Sequence, residues 1–393
     1  MSTIGDLIRE LCPEGVMFKT LGETCEIKTG KGITKNQGHD RALYPIISGG
    51  KEPMGYYDNY NRLENTVTVS RVGANAGHVS FINTKFYLND KCFSIIPVEM
   101  NKTQFNTRYL FYILKANESN ITGLQSEGGV PTINTTKISG ISIPVPPIEI
   151  QNEIVKILDL FTELEAELEA ELEARKTQYT FYRDALLSFE GKNVEWKTLG
   201  EIGQFIRGNG LQKKDFTESG VGCIHYGQIY TYYGTYTNKT RSFVSPELAK
   251  KLKKASKNDL IIAGVSENVE DVCKAVVWLG EDDICISGDA FIYRHKQNPK
   301  FIGYLLQTKR FLEFKRKYAQ GAKVTRLQSG SLPKYKVPIP SLKEQERIAN
   351  ILDKFGVLVN DISIGLPAEI KARRKQYEYY RNSLLTFKNI NNE

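Results

Sequence analysis

Leucines recur at every fourth position, Leu160, Leu164, Leu168 and Leu172, the last three inside a Glu-Leu-Glu-Ala unit that runs three times from Glu163 to Ala174. Read literally, polar and apolar residues alternate there as in a strand. Glu, Leu and Ala are good helix formers and poor strand formers, so the segment is expected to be a helix with a leucine stripe backed by alanine. A second stripe, Ile348, Ile351, Leu352, Phe355, Leu358, Val359 and Ile362, advances in steps of three and four. Gly365 and Pro367 interrupt it, and a further helix is expected over about 367–387. Each stripe needs an apolar partner, and each is the nearest candidate for the other.

Between these helices the pattern changes. Thr66-Val67-Thr68-Val69 and Leu260-Ile261-Ile262-Ala263 read as strands within segments rich in β-branched and aromatic residues, Gly and Asn. Helical spacing returns briefly at 104–116 and 299–317. The Pro-Val-Pro-Pro run at 144–147 and the Pro-Ile-Pro-Ser run at 338–341 favour extended backbone and hand each mixed segment over to its helix. The expected fold is α+β: two mixed α/β domains joined by two long antiparallel helices as a coiled coil, with a pseudo-twofold internal repeat. The expected boundaries are 1–147 for the first mixed domain, 148–190 for the central helix, 191–341 for the second mixed domain and 342–393 for the distal helices.

The repeat is explicit in the residues. Phe18-Lys19-Thr20-Leu21-Gly22-Glu23 returns as Trp196-Lys197-Thr198-Leu199-Gly200-Glu201. Ile143-Pro144-Val145-Pro146-Pro147 with Gln151 returns as Val337-Pro338-Ile339-Pro340-Ser341 with Gln345, and Ile157-Leu158-Asp159 as Ile351-Leu352-Asp353. Tyr179, Tyr182-Arg183, Leu186-Leu187 and Phe189 return as Tyr377, Tyr380-Arg381, Leu384-Leu385 and Phe387. The intervening segments 24–140 and 202–335 match only faintly, around Tyr109–Leu114 and Phe301–Leu306. One frame carries two different inserts.

Charge separates the parts. The chain is +8 overall, but residues 149–190 hold eleven acidic and four basic side chains, which leaves +15 on everything else. A basic body suits a polyanion and an acidic rod suits another partner. No apolar run approaches the length of a membrane span and no signal layout opens the chain, so a cytoplasmic protein is expected. The six scattered cysteines, Cys12, Cys25, Cys92, Cys223, Cys273 and Cys285, read as buried thiols. His39, His78, His225 and His295 have neither metal nor triad spacing. Gly30-Lys31-Gly32 and Gly49-Gly50-Lys51 lack the spacing and hydroxyl of a phosphate loop, and no Asn/Asp-Pro-Pro-aromatic loop for a flipped adenine occurs. No catalytic residue, cofactor or metal is expected on this chain.

Two basic domains at the ends of an antiparallel helix pair would read two half-sites across a fixed spacer. A helix of 25–30 residues spans roughly 40 Å, close to a DNA turn of about 34–36 Å. Different inserts imply different half-sites, hence an asymmetric bipartite target.

The Glu-Leu-Cys-Pro-Glu-Gly-Val opening at 10–16, the two proline hand-offs and the Ala-Arg-Lys and Arg-Arg-Lys helix ends at 174–176 and 373–375 resemble the specificity subunits of type I restriction-modification systems, from end to end. The resemblance implies two target-recognition domains on conserved helices, double-stranded DNA as ligand, and assembly with two modification (methyltransferase) and two restriction (translocase/nuclease) subunits. It places S-adenosylmethionine, ATP and Mg on those partners. The Glu-Leu-Glu-Ala repeat stands where Thr-Ala-Glu-Leu repeats are common in the family and makes that surface more acidic. Two alternatives stay open: a coiled-coil adaptor without DNA specificity, and the recognition half separated from a single-chain nuclease-methyltransferase, against which the complete frame at both ends argues.

Phosphate contacts call for Lys and Arg, and base readout calls for Arg, Asn, Gln and shaped loops. The candidates in the first insert are Lys31, Lys35, Asn36, Lys51, Tyr56, Tyr57, Arg62, Arg71 and Asn75. Those in the second are Arg207, Asn209, Lys213, Lys214, His225, Tyr226, Gln228, Tyr230, Arg241 and Lys323. Leu160, Leu164, Leu168, Leu172, Ile351, Phe355, Leu358 and Ile362 are the expected helix-pair interface.

Overall fold

A computed structural model describes residues 4–39, 41–98, 104–126, 128–321, 323–328, 330–360 and 365–390. The chain divides into two units, 1–167 with 371–393, and 168–370.

In unit 1 the order is α1 (Ile4–Leu11), β1 (Met17–Thr20), α2 (Leu21–Thr24), β2 (Cys25–Thr29), β3 (Tyr44–Ile47), β4 (Tyr56–Tyr57), β5 (Thr66–Ser70), β6 (Val79–Ile82), β7 (Tyr87–Leu88), β8 (Cys92–Pro97), α3 (Thr107–Ala116), α4 (Glu118–Thr122), α5 (Thr135–Ser139), β9 (Ser142–Val145) and the start of α6 (Ile148–Leu186). Unit 2 takes the rest of α6 and continues with β10 (Glu195–Thr198), α7 (Leu199–Ile202), β11 (Gly203–Arg207), β12 (Val221–Ile224), α8 (Tyr226–Thr231), β13 (Tyr236–Thr237), β14 (Ser242–Val244), α9 (Pro246–Ala249), β15 (Lys254–Ala255), β16 (Leu260–Ala263), β17 (Ala275–Trp278), β18 (Ile284–Ile286) and β19 (Ala290–His295). After these come α10 (Pro299–Leu305), α11 (Lys309–Tyr318), β20 (Ala319–Gln320), β21 (Arg326–Leu327), β22 (Lys336–Ile339) and α12 (Leu342–Asn360). The closing helix, α13 (Leu366–Leu385), lies mostly in unit 1.

The two inserts share one topology although their sequences barely match. One sheet is ordered β2-β8-β5-β6 in unit 1 and β11-β19-β16-β17 in unit 2, where β13 adds an edge. The other is β4-β3-β7 in unit 1 and β14-β12-β18 in unit 2, extended there by β15. In both, the middle strand pairs antiparallel on one side and parallel on the other. The expected strands are the buried centres of the first sheets, since every residue of β5 and of β16 is buried. The expected helix over 299–317 is two helices, because Thr308 caps α11 through its hydroxyl after Leu306 ends α10.

The repeated blocks bind one another. The strand before each Leu-Gly-Glu pairs with the proline run that precedes the long helix, with Phe18 opposite Pro144 and Trp196 opposite Pro338. In these two-stranded ribbons a proline leaves no buried ladder donor missing. Thr20 and Glu23, and likewise Thr198 and Glu201, form capping boxes that turn the chain from ribbon into insert.

Two side chains of each frame helix, a buried glutamine and a half-buried aspartate, then lock the insert helix to it. Gln151 is fully buried; its amide oxygen accepts from Asn106 N–H at 2.9 Å, and its nitrogen donates to the carbonyls of Pro146 at 2.8 Å and Gln104 at 3.0 Å. Gln345, equally buried, accepts from Asn298 N–H at 2.9 Å and donates to Pro340 O and Gln297 Oε1, both at 2.8 Å. Asn106 and Asn298 are themselves the N-caps of α3 and α10. Eight residues further on, Asp159 accepts from Arg108 and Tyr112, and Asp353 from Lys300 and Tyr304.

The long helices correct part of the expected stripe. At 100° per residue, a strict four-residue repeat drifts about 40° per step, so Leu160 and Leu172 lie about 120° apart. Leu168 is buried and Leu164 and Leu172 are half-buried, but Leu160 is 67 % exposed, and Leu158 and Phe161 take its inward place. Phe161 stacks on Tyr380 at 5.4 Å and lies 6.3 Å from Tyr377, while Glu165 pairs with Arg374. The partners fall along α13 as α6 advances, so the helices are antiparallel within unit 1. In unit 2, Ile348 and Leu352 are buried, Ile351 and Phe355 are half-buried, and Leu358 faces solvent at 42 % exposure. Phe355 meets Tyr182 at 5.8 Å, and Ile362 lies outside the described residues.

Unit 1 is also closed by its two chain ends. Val16 N–H donates to Lys388 O at 2.9 Å and Ile390 N–H to Val16 O at 3.2 Å. Gly15 turns the chain there with φ +120°, and a Cβ on it would sit 2.4 Å from Lys388 O. Gly15→Ala is expected to lower stability by roughly 1–3 kcal/mol, read as a drop in thermal midpoint. Gln345→Ala and Gln151→Ala, each stranding a buried amide N–H and carbonyls, are expected to cost about 1–3 kcal/mol, measured by denaturant unfolding.

Candidate nucleic-acid interface

In unit 2 the loops at the ends of β11, β12 and β18 surround a cavity of about 530 Å³ that gathers Arg207, Lys213, His225, Tyr226 and Asp289. The residues come from positions scattered over eighty in sequence, because β11 runs antiparallel to β19 and β12 parallel to β18. Arg207 donates to Gly288 O at 3.0 Å and lies 3.7 Å from the Asp289 carboxylate, with its side chain 69 % exposed. His225 is buried, and burial holds its imidazole below the ordinary value. The neutral ring accepts from Gly227 N–H through Nδ1 at 3.3 Å and caps α8. Its place in the wall is structural, with Tyr226 packed at 4.4 Å between ring centres.

A second cavity, about 590 Å³, shares Arg207 and Asp289 and extends to Gln320, Arg326 and Gln328 beside Phe205 and Phe291. Lys214 is exposed beside Lys213, and Lys323 is exposed at the end of the β20–β21 hairpin. Arg241 is exposed and lies over the Tyr232 ring at 4.4 Å.

Three of the unit 2 candidates hold the framework instead. Asn209 donates to Lys251 O at 2.9 Å and accepts from Lys253 N–H at 2.7 Å, which fixes its exposed amide on that backbone turn with one N–H left over. Gln228 is buried between His225 N–H at 2.9 Å and Ser242 Oγ at 2.7 Å. The Tyr230 hydroxyl donates to Val265 O, and burial raises its pKa.

The same architecture in unit 1 converges on the turn from β7 to β8. Lys31 N–H donates to Leu88 O at 3.0 Å, and Arg71 N–H to Lys91 O at 2.8 Å. The Arg71 guanidinium donates to Asp90 O at 3.2 Å and sits 5.8 Å from the Phe93 ring centre. Beyond it Gly73 adopts φ +105° with open space where a Cβ would stand, so the backbone there is accessible to a close ligand. Lys35, Asn36 and Lys51 are exposed between the strands and Tyr56 is exposed on β4, while Tyr57 is half-buried edge-on against Tyr87 at 5.1 Å. Asn75 shapes the turn after Arg71, its carbonyl accepting from His78 N–H at 2.9 Å. Arg62 is a framework residue: its guanidinium donates to Ser94 Oγ at 2.8 Å, Asn61 O at 2.7 Å and Thr29 O at 3.0 Å.

Sequence reading missed Lys91 in unit 1, and Asp289, Gln320, Arg326 and Gln328 in unit 2. None stands in a recognisable motif; strand pairing alone brings them to the candidate loops. Among the described residues, no group of His, Cys, Asp or Glu is arranged to hold a metal ion, and no helix is long and apolar enough to cross a membrane. Five of the six cysteines are buried and Cys12 is half-buried, with burial raising every thiol's pKa.

Comparison with known proteins agrees with this architecture. The type I restriction modification DNA specificity domain matches twice, at residues 13–174 and 191–372. The chain is 31 % identical over 364 residues to the EcoR124I/EcoR124II type I restriction enzyme specificity subunit of Escherichia coli, covering 89 % of this chain and 88 % of that one. It is 32 % identical over 327 residues to a putative type I restriction enzyme specificity subunit of Haemophilus influenzae, with 77 % of each chain covered. A type I S subunit from M. genitalium shares the fold with a TM-score of 0.59 at 17 % identity, covering 94 % of this chain and 96 % of that one. A chain from a structure of type I restriction-modification assembly and conformational transition shares it at 0.61 and 15 % identity, covering 95 % and 98 %. With both of its repeats matched and most of its length aligned to specificity subunits, the chain belongs to the type I restriction-modification DNA specificity family.

Proposed function

We propose that this chain is the non-catalytic, sequence-reading subunit of a type I restriction-modification complex, and that its two inserts are target-recognition domains for the unlike halves of one asymmetric bipartite DNA site. The observation that carries the reading is a shared insert topology whose equivalent loops bear different side chains. A common scaffold presents two reading surfaces, and only the surfaces differ.

Within each domain, Lys and Arg on the loops neutralise phosphates and fix register, while the convergent residues read base edges. In the first domain Arg71 is the leading reader, with Lys31, Lys35 and Lys51 as phosphate contacts and Asn36, Tyr56, Tyr57 and Asn75 around them. In the second, Arg207 leads, with Lys213, Lys214, Arg241 and Lys323 toward phosphate and Tyr226 in the wall. The frame helices bind the partners: two modification subunits, one for each repeat, and two restriction subunits. S-adenosylmethionine, ATP and Mg belong to those subunits, and the assembly works in the cytoplasm. Each Glu-Leu-Glu-Ala unit adds about 6 Å of helix, so its copy number adjusts the spacer between half-sites.

The test is methylation mapping in cells that express the chain with its modification subunit. One bipartite N6-methyladenine motif with unlike halves is expected; no motif, together with no duplex binding by the complex at low salt, would leave a helical adaptor as the function. Affinity for duplex DNA is expected to fall steeply with salt, as phosphate neutralisation requires. Arg71→Ala is expected to weaken specific binding by ~1–3 kcal/mol and to relax one base pair of one half-site, measured by titration against matched and mismatched duplexes.

A further inference from the structure

The two recognition domains place opposite charges at one topological position. Strand register identifies it: Thr29 pairs with Phe93 on β2–β8, and Arg207 pairs with Phe291 on β11–β19. Two residues before these phenylalanines stand Lys91 and Asp289. A hydrogen bond marks the same equivalence, because Lys91 O accepts from Arg71 N–H at 2.8 Å and Asp289 O accepts from Gly264 N–H at 2.7 Å. In both cases the donor follows the buried central strand.

Both side chains are presented outward at the candidate interface. Lys91 is exposed beside Arg71 and near Gly49, where a Cβ would lie 3.8 Å from its own Cβ. Asp289 is 39 % exposed, lines both unit 2 cavities, and stands 3.7 Å from Arg207 Nη2, farther than a hydrogen bond. Its carboxylate therefore keeps acceptor capacity toward the cleft.

A carboxylate among Arg207 and Lys213 is a poor phosphate contact, since it repels the backbone those cations attract. Against DNA its favourable partner is a base amino group: cytosine N4 or adenine N6 in the major groove. A lysine at the same position seeks the opposite edge, the O6 and N7 acceptors of guanine.

Resting on the DNA-reading function above, we propose that Lys91 and Asp289 are paired specificity determinants, reading bases of opposite hydrogen-bonding polarity at corresponding positions of the two half-sites. The first domain selects an acceptor edge there, guanine foremost. The second selects an amino-bearing base.

The experiment is selection from duplexes with both half-sites randomised, using the chain in complex with its modification subunit. Asp289→Lys is expected to shift one base pair of one half-site toward guanine by at least about tenfold and to leave the other half unchanged. Lys91→Asp is expected to shift one pair of the other half-site toward an amino-bearing base. Asp289→Ala and Lys91→Ala keep the backbone hydrogen bonds and should flatten preference at the same pairs, so the assignment remains testable if a charge reversal fails to fold. An unaltered motif in the alanine variants, or a uniform loss of enrichment across both half-sites, overturns the assignment. If the unmodified complex enriches no bipartite motif, the DNA-reading function fails first and separately.

Discussion

Each recognition domain is held to its frame helix by a buried glutamine, Gln151 or Gln345, whose amide satisfies the first turn of the insert helix and the end of the proline run together. A side chain with both donors and an acceptor is required, because three polar groups from two chain segments meet where water is excluded. The aspartate two turns later, Asp159 or Asp353, adds a charged clamp to a tyrosine and a cation on the same insert helix. With two fixed points about 12 Å apart along the frame helix, the insert helix has no freedom to rotate. The sheets packed on α3 and α10 inherit that orientation, and so do the loops at their ends.

This division explains why the repeat is sharp in some blocks and nearly lost in others. Ribbon, capping box, glutamine and aspartate each need specific hydrogen-bonding partners, and replacing one leaves its own partners unsatisfied. The strands between them need only apolar character at alternating or fully buried positions, which Val67 and Val69 supply in one domain and Ile261 and Ile262 in the other. At the loop tips even that demand is absent, so Lys91 and Asp289 can occupy one position with opposite charge.

The acidic frame helix follows the same logic on its outer face. Leu164, Leu168 and Leu172 stay within reach of the buried face, while Glu163, Glu167, Glu169, Glu171 and Glu173 remain in water. Their charge makes that outer face a poor surface for a polyanion.

The sequence by itself determined the repeat, the helices, the hand-offs and the central strands, because those depend on local propensity and on blocks that recur in order. It also determined which side chains are chemically able to meet DNA. Which of them stay available on the candidate loops was decided by tertiary structure. Arg62 and Arg71 stand nine residues apart with the same chemistry, yet Ser94, Asn61 and Thr29 occupy the first guanidinium while the second faces the loop cluster. Asn209 is tied to the Lys251 carbonyl, Gln228 to the Ser242 hydroxyl and Tyr230 to the Val265 carbonyl, all brought from elsewhere in the chain. Asp289 enters the cleft only through the register of β19 on β11, and the exposure of Leu160 only through the drift of a four-residue repeat around a helix. Strand register and helical phase act across tens of residues, and local sequence does not encode which distant group will arrive as a partner.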